Sequence, residues 1–325
     1  MDTEERELLR TSLGRLLAET DTAKVIPALA EFGWFDLLAA EPHEAVPVLF
    51  EIQGEAVVTT PALGAVMALA AGDAADGDPP ATAVLPGPGA GADPRSVVSG
   101  GTILVDGCAL AGAEGATRLV MAARRGDDLV LATGGSGDGL LIRPVEGIDP
   151  WLEMVRLAGR VEVIELLEGP AAAEAWERAV AAGRRALAHE LLGTAGEMLR
   201  LAVDHATERH QFGKRVGSFQ AIQHRLAEAK VALTAAEMAA AEAWAGPEAI
   251  SALLAKLWAG RAARLVGKQT QQTLGGMGFT WEHPFHRFFR RALALDSLLG
   301  SAPELTAEIG RRLISTRTIP QLASV

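Results

Sequence analysis

Two short segments carry side chains suited to binding a phosphate-bearing ligand. The first, Arg209–Lys214, begins with an arginine at the end of a long helical pattern, where a guanidinium binds pyrophosphate oxygens through paired, charged hydrogen bonds. The second, Gln272–Gly276, combines an amide with two adjacent glycines, whose backbone N–H groups a ligand can approach closely because no Cβ blocks them. Each segment alone also fits an ordinary helix end. Their occurrence together favours a ligand site.

Neither metal chemistry nor thiol chemistry is predicted. His283 and His286 lie close to Glu282, but their spacing follows no zinc pattern and a second pair of ligands is not evident. Cys108 is the only cysteine, so no internal disulfide is expected, and we interpret it as a small packing residue rather than a nucleophile. A single cysteine fits a reducing compartment, and we expect the cytoplasm.

Composition argues against nucleic-acid and membrane partners. The formal charge of −11 and the pI near 5.2 do not suit phosphate backbones, which require clustered Lys and Arg. The pairs Arg290–Arg291 and Arg311–Arg312 lie on helix-like segments and are predicted to be solvated. No basic region precedes an apolar stretch at the N-terminus, so no signal peptide is expected. The apolar run Ala62–Ala71 is too short to span a bilayer.

The elements that must position the two segments fall into three regions. Over residues 1–71, leucines recur at near-helical spacing, which predicts a truncated N-terminal helical domain. Over residues 72–169, short β-prone runs alternate with glycine- and proline-rich turns, which predicts a small antiparallel sheet or barrel. No Gly-x-Gly-x-x-Gly opens a helix after a strand in this region, so the glycines are interpreted as turn residues.

Residues 170–325 are predicted to form a C-terminal four-helix bundle. Long segments rich in Ala, Leu, Glu and Arg, with apolar stripes and short connections, are typical of such bundles. The predicted helices are Ala171–Glu208, Phe219–Trp244, Pro247–Thr273 and Pro303–Thr316. The predicted fold class is therefore α+β, with a helical domain, a small β domain and a helical bundle in that order.

The two segments and the order of the three regions resemble the acyl-CoA dehydrogenase family. The resemblance implies an FAD-dependent enzyme that removes hydrogen from Cα and Cβ of an acyl-CoA thioester, with a carboxylate taking the α-proton and FAD taking the β-hydride. In the family, the Gln-x-x-Gly-Gly segment meets the FAD of the neighbouring subunit. The residues that the resemblance assigns to FAD are Arg209, Phe212, Gln220, Gln272, Leu274, Gly275 and Gly276.

The resemblance also gives two positions for the catalytic base, and neither holds a carboxylate in this sequence. Where most members carry a Glu directly before Gly-Thr, the chain has Leu299 before Gly300–Ser301. The second position, on the first bundle helix, falls on Gly183. Arg184 matches an arginine common in the family and is expected to order the active site; the alternative is a surface ion pair. The family's flavin-ring turns are not found, and Leu85–Gly89 stands roughly where the first of them is expected.

The empty base positions resemble those of the smaller, base-lacking subunit of heterotetrameric steroid-CoA dehydrogenases of actinobacteria. This resemblance implies a chain that is inactive alone and supplies FAD contacts to a larger homologous subunit, which carries the Glu base. It further implies an acyl-CoA substrate and an electron-transfer flavoprotein or similar acceptor. Replacement of the base at Leu298–Leu299 is expected to leave room for a bulky acyl group, such as a steroid side-chain CoA ester.

Two other hypotheses remain open from the sequence. In the first, the chain is a self-sufficient homomeric dehydrogenase whose base has moved to Glu190, seven residues beyond Gly183. A helix places these residues about 10 Å apart along its axis, and proton transfer needs contacts of about 3 Å, so this base would require a shifted substrate. In the second, the chain is a scaffold homologue that binds no flavin.

Overall fold

The computed structural model describes residues 1–72, 81–110, 116, 118–135, 137, 139–245 and 249–316. Its N-terminal region is helical, as predicted. The α-helices in this region are α1 (Thr3–Glu19), α2 (Val25–Glu31), α3 (Trp34–Ala40), α4 (Pro42–Ala56) and α5 (Ala62–Ala71). A capping box starts α1: the Asp2 carboxylate accepts from the Glu5 backbone N–H, and the Glu5 carboxylate accepts from the Asp2 N–H.

The middle region is a small β-barrel. Its strands are β1 (Thr82–Ala83), β2 (Val97–Ser99), β3 (Thr102–Ala109), β4 (Arg118–Arg125), β5 (Asp128–Gly135), β6 (Leu140–Pro144) and β7 (Val155–Leu167). The order β4-β2-β3-β7-β5 closes because β5 also pairs with β4. The expectation of purely antiparallel pairing is wrong, since β4 pairs in parallel with both β1 and β2. Inward residues such as Ile103, Met121 and Val130 fill the interior.

The C-terminal region is a helical bundle built around one long helix. Its helices are α6 (Gly169–Glu208), α7 (Gln220–Glu242), α8 (Ala249–Leu274), α9 (Phe285–Asp296) and α10 (Ala302–Thr316). A two-stranded hairpin, β8 (His210–Gln211) with β9 (Lys214–Arg215), connects α6 to α7. The predicted start of the third helix at Pro247 and the end of the predicted domain, residues 317–325, lie outside the described residues.

The prediction of four bundle helices missed α9. In this helix Phe285, Phe289 and Ala292 have helical spacing and pack into the core. Pro284 precedes the first residue of α9, where a proline is well tolerated. The bundle therefore has five α-helices among the described residues, with α9 and α10 joined by the turn that carries Leu299.

The N-terminal region packs directly on α6 through helix α4. A Cβ added at Gly54 of α4 would collide with the backbone oxygen of Glu190 on α6, and one added at Gly193 would collide with that of Glu51. The two helices therefore cross with their backbones in contact, which only glycine permits at these points. Within the described residues, no helix combines the length and the apolar character that a membrane crossing requires.

Candidate functional site

The residues predicted to contact FAD meet at one end of the bundle. Arg209 is the C-cap of α6, with its N–H bonded to the His205 oxygen at 2.9 Å. Helices α7 and α8 are neighbours, because the Gln269 amide accepts from Arg225 at 3.1 Å and donates to Glu228 at 2.7 Å. The short connection between Glu242 and Ala249 makes them antiparallel. The start of α7 at Gln220 therefore lies beside the end of α8, where Gln272 is found.

Most of these residues face solvent. The exposed members are Arg209, Phe212, Gln220, Gln272, Gly275 and Gly276. Phe212 is 91% exposed and has a φ of 54°, in the left-handed region that phenylalanine seldom adopts. Leu274 differs, since its side chain is only 3% exposed and belongs to the core. Any ligand contact at Leu274 would therefore have to come from its backbone.

The chemistry of this bundle end fits a pyrophosphate. Gly275 has a φ of 60°, and a Cβ added at Gly275 or Gly276 would meet nothing within 4 Å. The glycines at the end of α8 thus leave space for an approaching ligand, and the charged guanidinium of Arg209 is exposed at the same end of the bundle. The hairpin between them adds Lys214, whose ammonium lies 4.3 Å from the centre of the Phe219 ring.

Sequence reasoning missed an aromatic and cationic patch that follows these glycines. Trp281 is 66% exposed, and the guanidinium of Arg290 lies 4.5 Å from the centre of its ring. Phe279 is also largely exposed. Large exposed aromatic side chains beside an open glycine segment are a signal of contact with a ligand or partner. Both aromatic residues are present in the sequence, but only the structure shows that their side chains are exposed.

The two base positions are in contact, and the space between them is filled. A Cβ added at Gly183 would lie 2.6 Å from Cδ1 of Leu299 and 2.8 Å from Sδ of Met67. Leu299 is 1% exposed and Met67 is fully buried. The expectation that losing the base leaves room for a bulky acyl group is therefore wrong for this chain. Among the described residues, methionine and leucine side chains fill that room.

The turn that carries Leu299 is held by two buried cations. Arg184 donates from Nε to the Leu299 oxygen at 3.1 Å and from Nη2 to Glu308 at 2.8 Å. Lys256 donates from Nζ to the oxygens of Asp296 at 3.0 Å and Gly300 at 2.7 Å. Burial lowers the pKa of Lys256 to about 7. Because Arg184 is buried, the alternative of a surface ion pair is wrong, and its role in ordering an active site stays a prediction.

The glycine- and proline-rich segment after Leu85 packs on the same turn. The Gly89 N–H donates to the Ser297 oxygen at 3.2 Å, and the indole N–H of Trp176 on α6 donates to the Ala92 oxygen at 2.9 Å. In the family the first flavin-ring turn is expected roughly at Leu85–Gly89, where its motif is not found in this sequence. In this chain the segment is instead bound to the bundle.

Glu190 belongs to a buried ion cluster. Arg291 donates from Nη1 to Glu190 at 3.1 Å and from Nε to Asp149 at 2.5 Å, and all three side chains are buried. Burial raises the pKa of Glu190 to about 7, against the opposing effect of Arg291. The prediction that Arg291 is solvated is wrong, because α9 turns this residue toward α6 and the β domain. The cluster joins the bundle to the segment between β6 and β7.

The other chemically active residues considered from the sequence have ordinary contacts. Cys108 is buried, and burial raises its pKa to about 12. His283 accepts from the Phe285 N–H at 3.2 Å, and Nε2 of His286 lies 3.2 Å from the Trp281 oxygen. These contacts shape the turn before α9.

A cavity of about 630 Å³ lies elsewhere, between α4, α6 and α7. At its floor, His189 is bonded to Glu51 at 3.0 Å and accepts from the Trp244 indole at 3.1 Å. Because an indole N–H only donates, Nδ1 of His189 carries the proton and points at Glu51. Both ring nitrogens are occupied, so His189 is not available as a base.

Comparison with known proteins agrees with this organisation. The family model "Acyl-CoA dehydrogenase, C-terminal domain" matches residues 174–314. The acyl-CoA dehydrogenase IpdE2 of Mycobacterium tuberculosis is 33% identical over 302 residues, which cover 90% of this chain and 84% of that protein. The chain belongs to the acyl-CoA dehydrogenase family. Members of this family are FAD-dependent oxidoreductases.

Solved structures of acyl-CoA dehydrogenases share the fold over nearly the whole chain. The Tcur3481-Tcur3483 steroid acyl-CoA dehydrogenase variant aligns with a TM-score of 0.78 at 24% identity, covering 97% of this chain and 99% of that one. The ChsE4-ChsE5 complex from Mycobacterium tuberculosis aligns with a TM-score of 0.75 at 19% identity, covering 99% of each chain. These alignments establish the helix, barrel and bundle order of the acyl-CoA dehydrogenase fold.

Proposed function

We propose that this acyl-CoA dehydrogenase chain is a base-lacking subunit that completes the flavin site of a larger homologous subunit. One observation carries the proposal: Leu299 and Gly183, at the family's two base positions, pack together with Met67, whereas six of the seven predicted FAD-contact residues at the bundle end are exposed. A chain that kept its own site would need a carboxylate and space for a thioester there. A chain that serves a partner needs only the exposed bundle end.

The reaction is α,β-desaturation of an acyl-CoA, in which FAD accepts the hydride from Cβ. The larger subunit supplies the Glu that takes the α-proton. This chain contributes the guanidinium of Arg209, the open backbone of Gly275 and Gly276, and the amides of Gln220 and Gln272 toward the pyrophosphate. A charged guanidinium and backbone N–H donors are the groups that hold such an anion in a fixed position.

The proposed substrate is a bulky acyl-CoA, with a steroid-derived acyl group as the specific case. The support is that a steroid acyl-CoA dehydrogenase is among the proteins with this fold. Because Leu299 and Met67 fill this chain's base positions, the space for the acyl group belongs to the larger subunit. The proposed acceptor is an electron-transfer flavoprotein or a similar protein, and the proposed compartment is the cytoplasm.

The test is co-expression with a homologous larger chain, with measurement of flavin content, native mass and turnover. We call one copy of each chain an unlike pair. The proposal expects one FAD per unlike pair, two pairs per complex, and activity in the complex but not in this chain alone. Turnover of a steroid-CoA should exceed that of a short straight-chain acyl-CoA. Equal turnover of the two would refute the substrate assignment.

Arg209→Ala tests the contribution to the flavin site. The proposal expects a lower FAD content per unlike pair, with the pair still formed. Arg311→Ala is the control, because Arg311 is an exposed arginine on the distant helix α10. An unchanged FAD content in Arg209→Ala would instead support the scaffold hypothesis.

A second candidate function is a self-sufficient dehydrogenase with Glu190 as base. The observation in its favour is the pKa of about 7, which burial gives to this carboxyl and which suits a general base. Against it, the ion pair with Arg291 already occupies the carboxylate. If the chain alone is yellow and active, and Glu190→Gln abolishes turnover while the flavin stays bound, this alternative replaces the proposal.

A further inference from the structure

The segment that follows α8 leaves several large apolar side chains in solvent. Met277, Phe279 and Trp281 are 45%, 77% and 66% exposed. Isolated exposed apolar residues are normal, but three within five residues form a patch, and such a patch indicates contact with a ligand or with another surface. The patch directly follows the open glycines Gly275 and Gly276. It therefore adjoins the place where the proposed function puts the pyrophosphate of FAD.

Other side chains hold the ring of Trp281 in place. The guanidinium of Arg290 lies 4.5 Å from the centre of this ring. The centre of the His286 ring lies 4.6 Å away, and the two rings meet edge to face at 71°. These contacts orient the indole before a ligand arrives, although most of its surface remains exposed. A ring that is already oriented loses little conformational freedom on binding, which favours affinity.

Trp281 lies at the same bundle end as the residues predicted to contact FAD. It follows Gly275 by six residues, and because the first five of this segment form a tight helical turn, the backbone spans at most about 15 Å between them. On the other side, burial and then the charge of the neighbouring His205 on α6 lower the pKa of His283. The His205 oxygen accepts from the Arg209 N–H at 2.9 Å. The turn that carries Trp281 is therefore close to the ends of both α6 and α8.

We infer that Trp281 is the surface on which the adenine ring of FAD stacks. In FAD, one ribose joins the adenine to the pyrophosphate, so an anchored pyrophosphate leaves the purine close to the end of α8. A purine is a flat π-system, and stacking on an aromatic side chain is a common way to hold it. Tryptophan offers a large π surface for this purpose. The guanidinium of Arg290 beside the ring adds a second group that interacts with π-systems.

This inference rests on the proposed function, because Arg209 and the two glycines determine where the pyrophosphate lies. It adds the residue that recognises the adenine half of the cofactor, which those groups leave unassigned. The adenine and the flavin ring are at opposite ends of FAD. The effect of Trp281 is therefore expected on how tightly the complex holds the cofactor.

The test titrates flavin into the co-expressed complex after its FAD has been removed. Trp281→Leu keeps an apolar side chain but removes the π surface, so the dissociation constant of FAD should rise by about fivefold to a hundredfold. Trp281→Phe keeps a smaller π surface and should recover part of this affinity. Phe32→Leu is the matched control, because Phe32 is an exposed aromatic residue of the N-terminal region, and it should leave the affinity for FAD unchanged.

Two probes separate the adenine from the rest of the cofactor. ADP, which lacks the flavin, should compete less well with FAD in Trp281→Leu, whereas FMN, which lacks the adenine, should bind all the variants equally. An unchanged affinity for FAD and ADP, or an equal loss for FAD and FMN, overturns the inference. So does a fall in native mass in Trp281→Leu, which would assign this residue to contact between the chains. Failure of the proposed function would appear separately, as an unmodified complex that binds no FAD.

Discussion

Arg291→Met should lower the free energy of unfolding by about 3–5 kcal/mol. The arginine is fully buried and donates to the carboxylates of Asp149 and Glu190 and to the backbone oxygens of Val58 and Trp151. Methionine occupies a similar volume, so the loss comes mainly from electrostatics rather than from a cavity. Removing one partner of a buried ion pair costs about 3–5 kcal/mol, because it leaves a buried charge without compensation. The Trp151 oxygen keeps a hydrogen bond from the Thr59 hydroxyl. Protonation of Glu190 recovers part of this loss.

The assay is urea unfolding followed by far-ultraviolet circular dichroism, with Arg290→Met as the matched control. Arg290 is the preceding residue on α9, but it lies over the Trp281 ring near the surface. A cation–π contact of this kind contributes about 0.5–1 kcal/mol. The adjacent substitutions should therefore differ by at least about 2 kcal/mol. Equal losses would refute the conclusion that the buried ion cluster ties the bundle to the β domain.

Three further predictions follow from the same contacts. Because the pKa of Glu190 is raised from 4.5 to about 7, its contribution to stability is greatest below about pH 4.5 and is lost as the pH rises through about 7. The difference in free energy of unfolding between the unmodified chain and Arg291→Met, measured by urea unfolding, should therefore become smaller on acidification. A difference that stays constant with pH would contradict this. Because the pKa of Lys256 is lowered from 10.5 to about 7, the unfolded chain binds more protons than the folded chain between about pH 7 and 10.5. The free energy of unfolding should therefore rise with pH over this range in the unmodified chain and not in Lys256→Met. Gly183→Ala should lower the free energy of unfolding by about 1–3 kcal/mol through overpacking, and adding Leu299→Ala should restore part of this stability in thermal unfolding. Leu299→Glu should destabilise the chain and give no acyl-CoA turnover in the isolated chain.

The sequence was sufficient to predict the order of helices, barrel and bundle, because each region has its own periodicity. The apolar stripes of α6, α7 and α8 are long enough to identify a bundle without any structure. The short helix α9 was missed because it follows a glycine-rich turn and begins after Pro284. The closure of the barrel through parallel pairs was also not predictable, since alternation within a strand does not specify its neighbours.

The site was predictable in its composition but not in its packing. Exposure of Arg209 and Phe212 at a helix end follows from their place after a long apolar pattern. The filling of the base position does not, because Met67 and Leu299 are more than two hundred residues apart in sequence. The burial of Arg291 has the same cause: its partner Asp149 lies in another region, so local charge pattern suggested a solvated face.

The turn at Leu299 bears on the proposal that this chain lacks a catalytic base. Leu299 has a φ of 53°, a conformation that costs a residue with a Cβ roughly 1–3 kcal/mol. The turn nevertheless keeps this shape, because Arg184 and Lys256 bind the oxygens of Leu299 and Gly300. Both side chains bind backbone oxygens, so these contacts do not involve the side chain at position 299. A leucine there gains apolar burial against Met67, whereas an unpaired carboxylate in the same pocket would be costly. The turn therefore keeps its backbone shape while the side chain at position 299 packs in the core, which is the arrangement that the proposal of a base-lacking subunit expects.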